Sequence, residues 1–211
     1  MAISKFGFKD WKLGWWVPQG TGGAYTRAVT LTNSAGVEYT PANPLPIGTT
    51  SSGMTPASIT RSANTTTYTA NTAWGGGTSI FTFPNLAGAG KTFFLPQIDI
   101  HSSANPTLKL QGILWLFSVS PQTVLADNAT FNIAAADYAN LTGGTEGGIP
   151  FTLTANQATG AANSGVSLTM QQLWALASGS NAIYGMVQVV NAYVPASGEI
   201  LTVTLSWIGV S

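Results

Sequence analysis

From position 59 onward, apolar and polar residues alternate with a period of two. Phe81 and Phe83 flank Thr82, Ile98 and Ile100 alternate with Asp99 and His101, and Leu108 and Leu110 alternate with Lys109 and Gln111 before the apolar run 113–117. Near the end, segments 182–194 and 199–208 flank a Pro-Ala-Ser-Gly turn at 195–198. In the last segment Leu201, Val203 and Leu205 are expected to face a core, with Thr202 and Thr204 outward. Period-two runs bounded by Gly, Pro, Asn and Ser are the signature of strands. Threonine-rich outer faces suit them, because β-branched side chains fit a pleated surface. Helix is scarce. Residues 134–141 predict a short one, with Asn132 near its start and Gly143 and Gly144 ending it. Residues 168–177 admit two readings: Met170, Leu173, Trp174 and Ala177 fit one face of a helix, and the same run fits a buried strand. Many short strands with little helix predict an all-β domain, a β-sandwich or jelly-roll-like fold of roughly eight or more strands.

The first 58 residues have a different character. Lys5, Lys9, Asp10 and Lys12 place four of the fourteen charges in the first twelve positions, and Trp11, Trp15 and Trp16 are three of the seven tryptophans. The spacing of Trp11 and Trp15 is helical, but Gly14 and Pro18 oppose a lasting helix. Short extended pieces are expected at 28–32 and 37–39, around a turn at 33–36. Prolines 41, 44, 46 and 56 then break any periodicity. The expected organisation is an extended N-terminal arm over 1–58 and a β-sandwich over 59–211. An arm has no core of its own, so large aromatics on it read as anchors into a partner. Trp11, Trp15 and Trp16, rimmed by Lys5, Lys9 and Lys12, are therefore the candidate partner interface, the alternative being that they fold back on their own domain.

Charge narrows the function classes. Only 7% of residues are charged and the net charge is zero, against about 25% charged in an average soluble domain. Such a surface attracts neither nucleic acid nor anionic lipid, and neither is expected as a partner. It also gives little protection against association, so much of the exterior reads as an interface, with a Thr-, Ser- and Asn-rich soluble surface as the alternative. No apolar stretch approaches the roughly 20 residues of a membrane helix, and no secretory leader is evident. With no cysteine and one histidine, thiolate chemistry and a transition-metal site are not expected.

The remaining motifs favour structural readings. Residues 86–92 resemble the tail of a phosphate-binding loop, but Asn85 stands outside that motif and Phe93, Phe94, Leu95 and Pro96 do not open a helix, so a Gly-rich turn is expected. His101 and Asp99 share a strand face without a nucleophile elbow anywhere in the chain. Asp127, Asp137, Glu146 and Glu199 are scattered; Asp127, Asn128 and Asp137 read as turn and capping residues, with a Ca²⁺ site as the alternative. Trp74, Trp115, Trp174 and Trp207 read as core. No enzyme and no cofactor are expected.

Several segments, taken in order, carry a resemblance. Arg61, Ala63, Asn64, Thr65, Thr66 and Tyr68 resemble an Arg-x-Ala-Asn-Thr-Thr-x-Tyr signature of small virion proteins of tailed bacteriophages. A Phe-Thr-Phe strand at 81–83 follows, then 114–117, Pro121, 126–129, Phe131, Asp137 and 141–143. Residues 183–185, 193–195 and 201–205 match the closing hairpin. The match spans about residues 59–208. The resemblance implies a capsid decoration (cement) protein, a non-enzymatic β-sandwich homotrimer on the outer surface of the virion, made in the bacterial host cytoplasm. Its implied partners are the major capsid protein and its own copies. A tail, collar or fibre-associated subunit is the alternative within structural proteins, and a carbohydrate-binding β-sandwich the alternative outside them.

Overall fold

The computed structural model describes residues 51–142, 148–155 and 162–210, and the backbone of two short strands nearer the N-terminus. The chain divides into two compact units, Met1–Gly48 and Thr49–Ser211. In the first, β1 (Trp16–Gln19) and β2 (Ala24–Arg27) form an antiparallel pair, with Trp16 opposite Arg27. The extended pieces expected at 28–32 and 37–39 lie outside the described residues.

The second unit is an all-β sandwich. Its elements are β3 (Ser52–Thr60), β4 (Thr72–Ala73), β5 (Phe81–Phe83), β6 (Thr92–Ser102), β7 (Gln111–Phe117), α1 (Ala135–Tyr138), β8 (Ile149–Thr152), β9 (Thr154–Ala155), β10 (Ser164–Ala175), β11 (Ile183–Val189) and β12 (Ile200–Val210). One antiparallel sheet runs β3-β12-β6-β10-β9, and the other runs β4-β11-β7-β8 with β5 also paired to β11. Because β4 and β5 both lie along β11, they act as one interrupted strand, and β9 is a short extension beside β10. Eight main strands remain. In chain order the first pairs the eighth and the third pairs the sixth in one sheet; the second pairs the seventh and the fourth pairs the fifth in the other. That is the pairing of a long hairpin rolled into two sheets, a jelly roll.

Alternation along the strands builds the core. Leu201, Val203, Leu205 and Trp207 of β12 are buried between partly exposed Thr202, Thr204 and Ser206. They meet Ile98 and Ile100 of β6, Trp174 of β10, Leu114 of β7, Ile183 and Val187 of β11, and Phe81 and Phe83 of β5 in one apolar cluster. Trp74, Trp174 and Trp207 are buried as expected, and Trp115 is half-buried.

Three readings need correction, and one left open is decided. Residues 52–58, assigned to the arm, belong to β3 and pair along β12 from Ser52 opposite Ile208. Pro56 hid this strand from its sequence; β3 is an edge strand, where a missing N–H costs no ladder bond. Of the two readings open for residues 168–177, the strand is the one found: they form the end of β10 and the turn after it, so Leu173 and Trp174 lie on opposite faces, one exposed and one buried. The helix expected over 134–141 is a single turn, α1, without a side-chain cap. Leu108 and Leu110 precede β7 rather than lying in it.

Pro96 sits in β6, which is central in its sheet, and proline is normally excluded from such a position. Both neighbouring ladders break at it. The β10 pairing slips between Thr169 and Gln172, with Gln171 at φ 51°, and the β12 pairing slips between Ser206 and Ile208. Leu95 and Pro96 together oppose Trp207, the two-against-one arrangement of a β-bulge. The inward phase of β6 changes accordingly, from Phe93 and Leu95 to Ile98 and Ile100.

Candidate functional site

Three of the segments that carry the sequence resemblance, 61–68, 126–129 and 193–195, converge at one end of the sandwich. Arg61 follows β3 directly and is buried. Its Nε donates to the Tyr68 hydroxyl at 3.1 Å, Nη1 to the Asn64 carbonyl at 2.8 Å, and Nη2 to Asn64 Oδ1 at 3.2 Å and Asp127 Oδ2 at 3.0 Å. The Tyr68 hydroxyl donates to Asp127 Oδ1, which also accepts the Gly75 amide at 3.3 Å. Backbone bonds in both directions tie Tyr68 to Tyr193. Their rings lie 6.3 Å apart, and Trp74 stacks on Tyr68 at 5.4 Å.

A second carboxylate continues the cluster. Glu199 is 1% exposed. Its Oε1 accepts from the Tyr193 hydroxyl at 2.6 Å and from Ser102 Oγ, and its Oε2 accepts from the Ala196 amide at 2.9 Å. The Arg61 amide donates to the Glu199 carbonyl at 3.1 Å. Burial first, and then the neighbouring carboxylates, push both tyrosine hydroxyls well above their ordinary range. Both therefore stay protonated donors at any physiological pH. Every charged oxygen already holds protein donors, so the cluster fixes loops 61–72, 126–130 and 193–199 against the end of β6.

The other singled-out groups are separate. Asp99 accepts from Gln97 Nε2 and Ser167 Oγ. Exposed His101 lies on the same outer face, packed over Gly165, where a Cβ would come within 2.5 Å of its Nδ1. Asp137 accepts the amides of Gln122 at 2.9 Å and Thr123 at 3.2 Å, and that first bond holds its carboxyl below the usual range. Among the described residues no group of three or more His, Asp or Glu gathers to hold a metal. The Gly-rich turn at 86–92 runs into β6, with Gly88 and Gly90 at positive φ, so no helix N-terminus faces it. Of the candidate interface residues, Lys5, Lys9, Trp11, Lys12 and Trp15 lie outside the described residues, and Trp16 is described only as the backbone start of β1.

The two sheets differ in how their outer faces are treated. On the second sheet, Trp115, Phe117, Met186 and Tyr184 pack with Phe131, Ile133 and Leu141 of the long 118–142 connection. Trp115 Nε1 donates to Gln188 Oε1 at 3.1 Å, and the Trp115 and Phe131 rings lie 6.0 Å apart. On the five-stranded sheet, Ile208, Phe94 and Leu173 stand in ladder register across β12, β6 and β10. Leu173 is 65% exposed, and Met54 and Val210 are also exposed. None of these side chains belongs to either apolar cluster. This row is not legible in sequence because its members fall on three distant strands, and the helical one of the two readings of 168–177 puts Leu173 on one face with Trp174.

Charge is nearly absent from this exterior. Among the described residues, Asp137 and Glu199 are buried, Asp99 is 8% exposed, Asp127 is bonded to Arg61, Lys109 is half-buried and Lys91 is exposed. No protein-family model matches the chain, and no curated protein sequence matches it.

Proposed function

We propose that this chain is a non-enzymatic virion structural protein, a decoration protein that binds the outside of a tailed-phage head and stabilises the shell. The observation that carries the reading is the sequestration of charge. Among the described residues the carboxylates are held in internal hydrogen bonds, and apart from Lys91, Lys109 and His101 the exterior is made of uncharged polar and apolar side chains. Such an exterior can be covered by protein without stripping water from charges, the step that makes charged interfaces costly. The ordered resemblance over residues 59–208 points from that general role to the decoration class, with the major capsid protein and sister copies in a homotrimer as partners.

The mechanism is mass action. A ligand that binds only the assembled shell stabilises it by RT ln(1 + [L]/Kd), about 2.7 kcal/mol per site at a hundredfold excess over Kd. Many copies bridging neighbouring capsomers add avidity without tight single contacts. The test is to prepare heads with and without the protein and to measure thermal disruption of each. Decorated heads are expected to open at higher temperature, with binding spread over the shell. Equal robustness ends the cement reading, and binding confined to one vertex replaces it with a tail or collar role.

A further inference from the structure

β3 is the first strand of the sandwich after the unit Met1–Gly48, and its hold on the sheet is uneven. The Arg61 amide donates to the Glu199 carbonyl and the Gly209 amide to the Ser51 carbonyl. Alternation between these two bonds puts the N–H groups of Gly53, Thr55, Ala57 and Ile59 on β12. The same four residues are the inward ones, opposite Trp207, Leu205, Val203 and Leu201, and only Ile59 is both large and buried. The apolar bulk at this edge therefore belongs to β12. Trp207 fills the space before Gly53, where a Cβ would come within 3.0 Å of its ring, and its Nε1 donates to Thr55 Oγ1 at 3.1 Å. Beyond Thr60 the chain is fixed instead by buried Arg61 and its bonds to Asn64, Tyr68 and Asp127.

We propose that β3 is a detachable strap: residues 52–57 peel from β12 together, while Ile59 and Arg61 stay in place, and so lengthen the connection between the two units. Each freed residue adds about 3.3 Å of chain, so the first unit gains roughly 20 Å of reach without disturbing the core. The inference goes beyond the proposed function and holds whatever the first unit binds.

The gradient along the strand follows from what each part buries. Segments with few buried apolar contacts open at a lower free energy than the whole fold. Ladder groups released at an edge exchange their partners for water, so the net loss per hydrogen bond is small. Apolar burial is what resists opening, and Gly53, Thr55 and Ala57 supply little of it; the main cost is baring one side of the Trp207 ring. At Ile59 the cost rises. Peeling past it would expose a buried apolar side chain and pull on the amide bond from Arg61 to Glu199, next to the ion pair with Asp127. Opening therefore has a stop built into the sequence.

The experiment is amide hydrogen exchange by NMR on the full chain. Along β12 the N–H groups alternate: Leu205 and Trp207 donate toward β3, and Thr202 and Thr204 toward β6. Peeling bares the first pair and not the second. Gly53, Thr55, Leu205 and Trp207 are expected to exchange together, roughly a hundredfold or more faster than Thr202 and Thr204, with Ile59 and Leu201 on the slow side. A staple checks that β3 is what moves. Met54 and Ser206 face each other in the ladder, and the chain has no cysteine of its own, so Met54→Cys with Ser206→Cys forms one cross-strand disulfide. Circular dichroism verifies folding. The oxidised variant is expected to slow the four amides to the level of Thr204, and reduction to release them. Protection at Gly53 and Thr55 equal to that of Thr204 in the wild type overturns the proposal, as does fast exchange that survives the staple. Exchange of Ile59 and Leu201 as fast as that of Gly53 overturns it too, because the strand then leaves whole and has no stop.

Discussion

Arg61 Nη2 lies 3.0 Å from Asp127 Oδ2 in an ion pair whose arginine side chain is wholly buried and whose aspartate side chain is 15% exposed. Sixty-six positions separate the two residues. The pair joins the end of β3 to the connection that roofs the second sheet, so it reports on both layers of the sandwich.

Removing one partner of such a pair strands the other. Asp127→Ala leaves a buried guanidinium whose remaining acceptors are the Tyr68 hydroxyl and two oxygens of Asn64, and a broken buried pair costs about 3–5 kcal/mol. Tyr68→Phe removes one hydroxyl between Arg61 and Asp127 and is expected to cost about 1–3 kcal/mol. Urea unfolding measures both. If Asp127→Ala costs no more than Tyr68→Phe, the ion pair does not hold this end of the fold.

Two neighbouring glycines give a sharper contrast. A Cβ on Gly76 would sit 2.0 Å from the Thr60 carbonyl oxygen, which is rigid backbone, whereas one on Gly77 meets nothing within 4 Å. Gly76→Ala is therefore expected to destabilise by at least about 1–3 kcal/mol through forced backbone movement. Gly77→Ala is expected to be nearly neutral, within about 0.5 kcal/mol. Thermal unfolding of the two single variants distinguishes them, and equal midpoints would contradict the close approach of residues 60 and 76.

How far the sequence reveals this protein depends on where each feature's information lies. Period two is a local property, so Leu201, Val203 and Leu205 were placed inward correctly, and the same rule found β5 and β11. β3 was missed because an edge position makes proline tolerable, and edge position is a property of the sheet rather than the segment. The bulge at Pro96 changes the inward phase within β6, which no fixed period can follow. Glu199 and Asp127 looked isolated in sequence. Their partners, Ser102 and Arg61, lie 97 and 66 positions away and are brought to them only by the fold. The apolar row on the outer face was illegible for the same reason: register alone brings Ile208, Phe94 and Leu173 together.

Asp137 makes stability depend on acid. Its carboxyl is held below the ordinary aspartate range, first by the Gln122 amide and then by Thr123. A depressed folded-state value means that the stabilisation is present above the unfolded value, about 3.9, and is lost as pH falls through the folded value. Urea midpoints of the wild type are therefore expected to fall below about pH 4. Asp137→Asn is expected to start lower, since its amide group opposes one of the two backbone donors, and to show a shallower decline. Parallel declines in the two proteins would assign the acid sensitivity to other carboxylates.

The bulge on β10 predicts a stabilising substitution. Gln171 is exposed and holds φ at 51°, a left-handed conformation that a residue with a Cβ adopts at a cost of about 1–2 kcal/mol. Glycine adopts it freely, but it gives the unfolded chain more freedom, which offsets part of the gain. Gln171→Gly is thus expected to raise stability by about 0.5–1 kcal/mol. The neighbouring Thr169→Gly, in regular strand opposite Gln97, is expected to lower it by a similar amount. The opposite signs at two exposed positions of one strand isolate backbone conformation from any loss of side-chain contact. If both variants are destabilised equally in urea, Gln171 is not in the left-handed region, and the slip between Thr169 and Gln172 has another cause.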